Sequence, residues 1–341
     1  MVDMHHIQYP VGQGGLHLGI IDDYAYIYDC GGYGANVNWI DIFQDIENHL
    51  SQNNVKTLDI FISHLHRDHY DKTEDLISVI YNKVREINIY IPPMSDIEKI
   101  MLICEYHITS EDFSDEKLDN EYIQFVLNGR FSKIEESEKI KYTNIFANKQ
   151  LTGDIILHSY TTNISSYNQK KFINELIKQH INPNRLTDEI HKYGRNFWQI
   201  AINAFKNAFK IHRITNQIML NLYCGMSYPT CCRDKLNWLH TGDSCLKTYK
   251  QVDSLIKAFG MLLPNVNFAQ VPHHCSKNNH DLKFPLLFNC NCCFYYTTQV
   301  QVKNFNGIVV PYTSYLTSLP CRHILAISDT PSTIYKLSRK V

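Results

Sequence analysis

Apolar positions along this chain fall into short continuous runs and helically spaced sets. Leu16 to Ile21 is an apolar run, Asp22 and Asp23 supply a turn, and Tyr24 to Tyr28 is aromatic and strand-prone before Asp29, Cys30, Gly31 and Gly32. Residues 7 to 32 therefore read as paired strands, a hairpin ending in a Gly-rich loop. Trp39, Phe43, Ile46 and Leu50 then recur at helical spacing, and Leu58 to Ser63 reads as a short apolar strand, giving a βαβ order. Asp71 and Glu74 stand three apart like a capping box. Leu76, Ile80, Val84 and Ile87 follow on one helical face, and a strand at Ile89 to Ile91 precedes Pro92 and Pro93.

From about residue 95 to residue 212 the pattern changes. Charged, Asn-rich segments such as Glu111 to Asn120 alternate with amphipathic stretches carrying Phe172, Leu176 and Ile177, then Phe197, Ile200, Ala204 and Phe205, which predicts a largely helical insertion. Strand-like runs resume at Ile218 to Tyr223 and Leu236 to His240. A helix with Val252, Leu255, Ile256 and Phe259 on one side follows, then a strand at Val266 to Val271 and a Cys-rich, aromatic C-terminal part. No repeat of 20 to 50 residues is present.

Composition narrows the class. The 341 residues are 44% hydrophobic and include 22 Tyr and 16 Phe, enough for a large core and too much for wholesale disorder. Lys and Arg number 33 against 34 Asp and Glu, so no overall field draws the chain to nucleic acid or to an anionic membrane. The opening residues have neither the basic start nor the apolar stretch of a signal peptide, and no window approaches a membrane span, so the expectation is a cytoplasmic protein. Eleven cysteines, an odd number in a large chain, read as reduced buried thiols.

The segment Ile62 to His69, ISHLHRDH, places three imidazoles and a carboxylate within six residues directly after a buried strand. His64 and His66, two apart in extended backbone, share one side, and the turn after them lets Asp68 and His69 face a second ion. Such donors suit Zn²⁺, with Mn²⁺ or Fe as alternatives. Two later segments repeat the pattern of a strand ending in ligand-type residues: His240-Thr241-Gly242-Asp243, and His273-His274-Cys275-Ser276.

With these pieces in this order the chain resembles the metallo-β-lactamase fold superfamily, and within it the branch of ComEC-like and phosphorylcholine-esterase-like hydrolases. Asp29-Cys30-Gly31-Gly32 is similar to its first-strand element, His64 to His69 to its HxHxDH signature, Thr241 to Asp243 to its TGD element, and His273 to Ser276 to its HHGS element. The match covers about residues 7 to 94 and 214 to 335. It implies an α/β fold, the metallo-β-lactamase αββα sandwich, as a single domain over residues 1–341 with a helical insertion at about 95–212. His64 and His66 would then hold one metal, Asp68 and His69 the other, and Asp243 would bridge them. His274, or else His273, would complete the second site, and Asp29 would support the ligands through hydrogen bonds.

The resemblance leaves the third ligand of the first site open. His107, His158, His180, His191 and His212 lie in the interval where many members carry a histidine. Residues 215 to 220 resemble a strand of the ComEC-like branch that puts Asn216 at the site, and Cys275 stands where Gly is usual. Asp68 is expected to orient and deprotonate the attacking water, and His323, beside Arg322, to protonate a leaving group. Gly12-Gln13-Gly14-Gly15 lacks the ending of a phosphate loop and reads as a tight turn. Cys231, Cys232, Cys290, Cys292 and Cys293 lack paired zinc spacing. The basic set Lys170, Lys171, Lys206, Lys210 and Arg213 reads as a solvated helix face.

The expected activity is metal-dependent hydrolysis by two divalent ions, zinc foremost, through a bridging hydroxide, because bound water reaches a pKa near ~7. The resembled branch makes the substrate a phosphoester: a nucleotide, a nucleic acid or another phosphodiester. The alternative is a nuclease subunit, or a catalytically silent metal-binding partner, of a bacterial defence complex. The insertion would serve as a lid, a substrate shelf, a dimer surface or the surface for a protein partner, and no membrane is expected as a partner.

Overall fold

The computed structural model describes residues 2–109, 120–209, 217–228, 237–275, 283–288, 293–298 and 324–340. The chain divides into two compact units, one of residues 1–92, 136–161 and 219–341 and one of residues 93–135 and 162–218.

The first unit opens with three antiparallel strands, β1 (Asp3–Gln8), β2 (Gln13–Ile21) and β3 (Tyr24–Tyr33). Helix α1 (Trp39–Gln52) leads to β4 (Thr57–Phe61), which pairs parallel to β3. The short α2 (Arg67–Tyr70) and α3 (Thr73–Ile80) lead to β5 (Glu86–Tyr90), parallel to β4. In the second unit lie α4 (Asp96–Thr109) and α5 (Asn120–Asn128), after which β6 (Ile140–Tyr142), β7 (Asn148–Gln150) and β8 (Ile155–Thr162) return to the first. The second unit continues with α6 (Ser166–Lys178), α7 (Leu186–Tyr193) and α8 (Arg195–Ala208). Back in the first unit are β9 (Met219–Met226), β10 (Trp238–His240), α9 (Tyr249–Phe259), β11 (Phe268–Gln270), β12 (Phe294–Thr298), β13 (Ile324–Ile327) and β14 (Tyr335–Lys340).

These strands form two seven-stranded sheets, ordered β14-β1-β2-β3-β4-β5-β6 and β13-β12-β11-β10-β9-β8-β7. Strand alternation explains the layers. Tyr26, Tyr28, Phe61 and Tyr90 of the first sheet meet Leu157, Leu220, Leu222 and Cys224 of the second in one apolar cluster, while α1 buries Ile42, Phe43, Ile46 and Leu50 beside α3. On the outer face of the second sheet, Val252, Leu255 and Phe259 of α9 pack with Tyr223, Leu239, Ala269 and Tyr295. The fold is the α/β class expected, an αββα sandwich in which each sheet presents one face to the other and one to helices.

Several local expectations need correction. Asp71 does not open a capping box: its N–H closes α2 on Arg67 O at 2.9 Å, and α3 begins after Lys72 with no side-chain cap. Ile87 is not helical but pairs with Leu58 in β5, because parallel pairing to β4 outweighs an apolar residue's helical spacing. Ile177 is exposed, and the buried face of α6 is Phe172 and Leu176. Residues 136–161, within the span read as insertion, contain β6 and β7 and nearly all of β8. Inside the second unit, buried Glu98 accepts from Ser95 N, Ser95 Oγ and Ile164 N, each at 2.9 Å, tying the start of α4 to the approach to α6.

Candidate metal centre

A bulge aims the first functional side chain. Leu16 pairs with Cys30 and His17 with Tyr28, so Asp29 is the extra residue of β3, held at φ +61. A bulged residue in the left-handed region turns its side chain out of the alternation. The Asp29 carboxylate, fully buried, instead accepts from Ser63 N at 2.6 Å, Ser63 Oγ at 2.8 Å and His69 Nδ1 at 2.7 Å. Gly31 then passes so close to α2 that a Cβ there would lie 2.7 Å from Asp71 Oδ1 and 2.8 Å from the Asp68 carbonyl.

The HxHxDH segment leaves the carboxyl end of β4. His64 Nε2 and His66 Nδ1 converge to 2.8 Å. Opposite them, Gln270 of β11 receives Thr241 N at 3.0 Å and Gly242 N at 2.9 Å, fixing the turn that presents Asp243. His273, His274 and Cys275 follow β11 with φ of 50, 49 and 61, three consecutive left-handed residues, none of them glycine. This turn separates the two histidines. His274 donates from Nδ1 to Thr298 O at 2.6 Å and turns Nε2 to Asp243 Oδ1 at 3.2 Å. His273 is 22% exposed and has Nδ1 3.7 Å from Asp243 Oδ2.

Two groups that could each hold a metal ion result among the described residues: His64, His66 and Asp243, and Asp68, His69 and His274. Asp243 stands between them, with Oδ2 3.8 Å from His64 Nε2 and Oδ1 3.5 Å from His69 Nε2. The donors fit a pair of divalent cations. His69 Nε2, Asp243 Oδ1 and His274 Nε2 are buried with no hydrogen-bond partner among the described residues, although such atoms are nearly always satisfied. All are nitrogen and oxygen donors of the kind zinc, manganese and iron accept.

Burial governs the protonation of these groups. It drives His64 well below the usual imidazole range, reinforced by His69 and His66. It also lowers His66, against the pull of Asp68 and Asp243. Both imidazoles are thus neutral and able to ligate. Burial would lower His69 too, but Asp29, Asp68 and Asp243 outweigh it and raise the group well above that range. For Asp243, burial is outweighed by His273, His274 and His69, which hold it well below the carboxylate range.

Other predicted residues fall elsewhere. Asn216, His212, Arg322 and His323 lie outside the described residues, as do Cys231, Cys232, Cys290, Cys292, Lys210 and Arg213. His158, on β8, is spent on Ala258 O at 3.0 Å, and in the ligand groups Asp243, not an intervening histidine, accompanies His64 and His66. Gly14, in the glycine-rich segment, accepts from Thr298 Oγ1 at 2.6 Å. Cys30, Cys104, Cys224, Cys275 and Cys293 are buried thiols outside any disulfide. Lys170, Lys171 and Lys206 are exposed while Phe205 and Phe209 are buried.

Sequence reasoning missed Ser63, Gln270 and Thr298, which have no signature of their own. It also missed a buried chain of imidazoles between the sheets. His6 Nδ1 donates to His17 Nε2 at 3.2 Å, and His17 Nδ1 to Gln8 Oε1 at 3.2 Å. Tyr26 OH lies 3.1 Å from His240 Nε2, and Tyr296 OH 2.6 Å from His240 Nδ1, both within hydrogen-bond reach.

No family model matches the sequence, and no curated protein matches it. Among solved structures the chain is similar to the metallo-β-lactamase fold protein YhfI from Bacillus subtilis, at 10% identity over 99% of this chain and 100% of that one, with a TM-score of 0.47. It is similar to isothiocyanate hydrolase from Delia radicum gut bacteria at 8% identity, over 98% of this chain and 99% of that one, with a TM-score of 0.42. A third is the long form of RNase Z from yeast, at 8% identity over 88% of this chain and 37% of that one, with a TM-score of 0.39. No helix among the described residues is long and apolar enough to cross a membrane.

Proposed function

We propose that this chain is a metal-dependent phosphodiesterase of the metallo-β-lactamase superfamily, holding two divalent cations, zinc foremost. The observation that carries the reading is the bridging position of Asp243, whose two oxygens face separate ligand groups. His64 and His66 would hold one cation, Asp68, His69 and His274 the other, and Asp243 would contribute to both. Such a pair supplies a nucleophile at neutral pH by acidifying water, and neutralises charge developing on a phosphoryl oxygen.

The protein's own groups do the rest. Asp68, 6% exposed at the start of α2, orients the attacking water and accepts its proton. Asp29 fixes the ring of His69, and Thr298 that of His274, so that both present Nε2. Asn216, on the sequence resemblance, is assigned to line the site, and His323, on its residue type beside Arg322, to protonate the leaving oxygen; both lie outside the described residues. A phosphoester substrate follows from the likeness of the TGD and HHxS segments to phosphodiesterase members. A formal charge of -1 favours a nucleotide-sized substrate over a long nucleic acid.

The test is metal content per chain, with turnover of bis-p-nitrophenyl phosphate, on wild type and Asp243→Ala. About two ions falling on substitution, with turnover lost by more than roughly a hundredfold, is the expected result. Metal without turnover in wild type would instead mark a metal-binding partner subunit, and absence of metal under replete conditions would overturn the centre itself.

A further inference from the structure

We infer that Ser63 is a positioning residue whose single hydroxyl, held by Asp29, sets the tautomer of His64; because Asp29 also holds Nδ1 of His69, it links the two ligand groups. The inference rests on the metal centre proposed above. Ser63 is fully buried two residues beyond β4. Its Oγ lies 2.8 Å from Asp29 Oδ2, 2.9 Å from His64 Nδ1 and 3.3 Å from His69 Nδ1, and its N–H donates to Asp29 Oδ1 at 2.6 Å.

The donor count fixes the direction of every bond. A hydroxyl has one proton and two lone pairs, and a carboxylate only accepts. The Ser63 proton therefore goes to Asp29, and Oγ is left to accept from Nδ1–H of His64. His69 Nδ1 donates to Asp29 Oδ2 at 2.7 Å. Both rings thus carry a proton on Nδ1 and turn Nε2 to Asp243, at 3.8 Å for His64 and 3.5 Å for His69.

Without the hydroxyl, Nδ1 of His64, 1% exposed, loses its acceptor. The tautomer protonated on Nε2 then gains ground, and that proton occupies the position a cation needs. The pocket around Ser63 is closed by the turn before Asp243: a Cβ on Gly242, at φ +52, would lie 2.8 Å from Ser63 Cβ. Ser63 is thereby held against both groups of ligands.

The experiment is a zinc titration of the full chain against a competing chromogenic chelator, on wild type and Ser63→Ala, with ¹⁵N imidazole spectra of both metal-free proteins. Wild-type His64 should show the Nδ1–H tautomer. Ser63→Ala should weaken the ion held by His64 and His66 by roughly 10–100-fold, as loss of an outer hydrogen-bond partner does, and the other ion less, because His69 keeps Asp29. Two ions bound by Ser63→Ala with wild-type affinities would overturn the inference while leaving the centre intact. No zinc bound by wild type would instead strike the centre. Should Ser63→Ala fail to fold, an Nε2–H tautomer for His64 in wild type overturns the inference by itself.

Discussion

At the scale of single residues, the centre depends on a few positions where backbone and side chain are constrained together. Gly31 is one. A methyl group there meets the Asp68 carbonyl and Asp71 Oδ1, both under 3 Å away, so α2 would have to shift, and with it Asp68 and His69. Gly31→Ala should therefore lower turnover by at least tenfold and weaken the ion held by Asp68, His69 and His274 before that held by His64 and His66. Chelator competition at the two sites would check this, and equal weakening of both would refute it. The HxHxDH segment was legible because its donors are adjacent in sequence. The choice between His273 and His274 was not, since two imidazoles side by side share one chemistry and only the left-handed turn separates them. Ser63 was invisible for a different reason, as one buried hydroxyl has no pattern.

At the scale of elements, apolar spacing located β2, β4, α1 and α9 because each buries one face. It misplaced the end of α3 and the start of β5, where the outcome is decided by pairing with β4. The short strands β6 and β7 were hidden within a polar stretch. A capping box does form at α9, where Thr248 Oγ1 accepts from Gln251 N at 3.4 Å and Gln251 Oε1 accepts from Thr248 N at 2.9 Å. Thr248 is exposed, so its replacement leaves no cavity. Thr248→Ala should cost about 1 kcal/mol, seen as a lower urea midpoint at unchanged slope and with metal content unaltered.

At the scale of the whole molecule, the imidazole chain between the sheets ties stability to pH. Strand register, not sequence proximity, assembles it, with Gln8 opposite His17 and His6 opposite Gly19, so spacing alone gave no warning. Burial lowers His6 to about 3 and drives His17 and His240 well below the imidazole range. Unfolded, each would titrate near 6.5. Below that pH the unfolded state binds more protons, so the stability contributed by these groups is present above it and is lost as pH falls. Each costs roughly 1.4 kcal/mol per pH unit. An added proton at His17 Nε2 also sets donor against donor, since that nitrogen now accepts from His6 Nδ1. Urea midpoints should drop steeply from pH 6.5 to 4.5, and His6→Asn should flatten the slope by about one proton. An unchanged slope would remove His6 from the account.

The turn at residues 273 to 275 sets one candidate ligand, His274, in left-handed backbone. L-residues disfavour the left-handed region by roughly 1–2 kcal/mol apiece, and three in a row hold it here. In the language of chirality, the segment is a brief left-handed thread in a chain of L-residues, and a cation gripping His274 would favour that conformation. Stripping the cations should loosen the thread first, so amide exchange at His274 and Cys275 would report the metal's departure before any loss of the sheets.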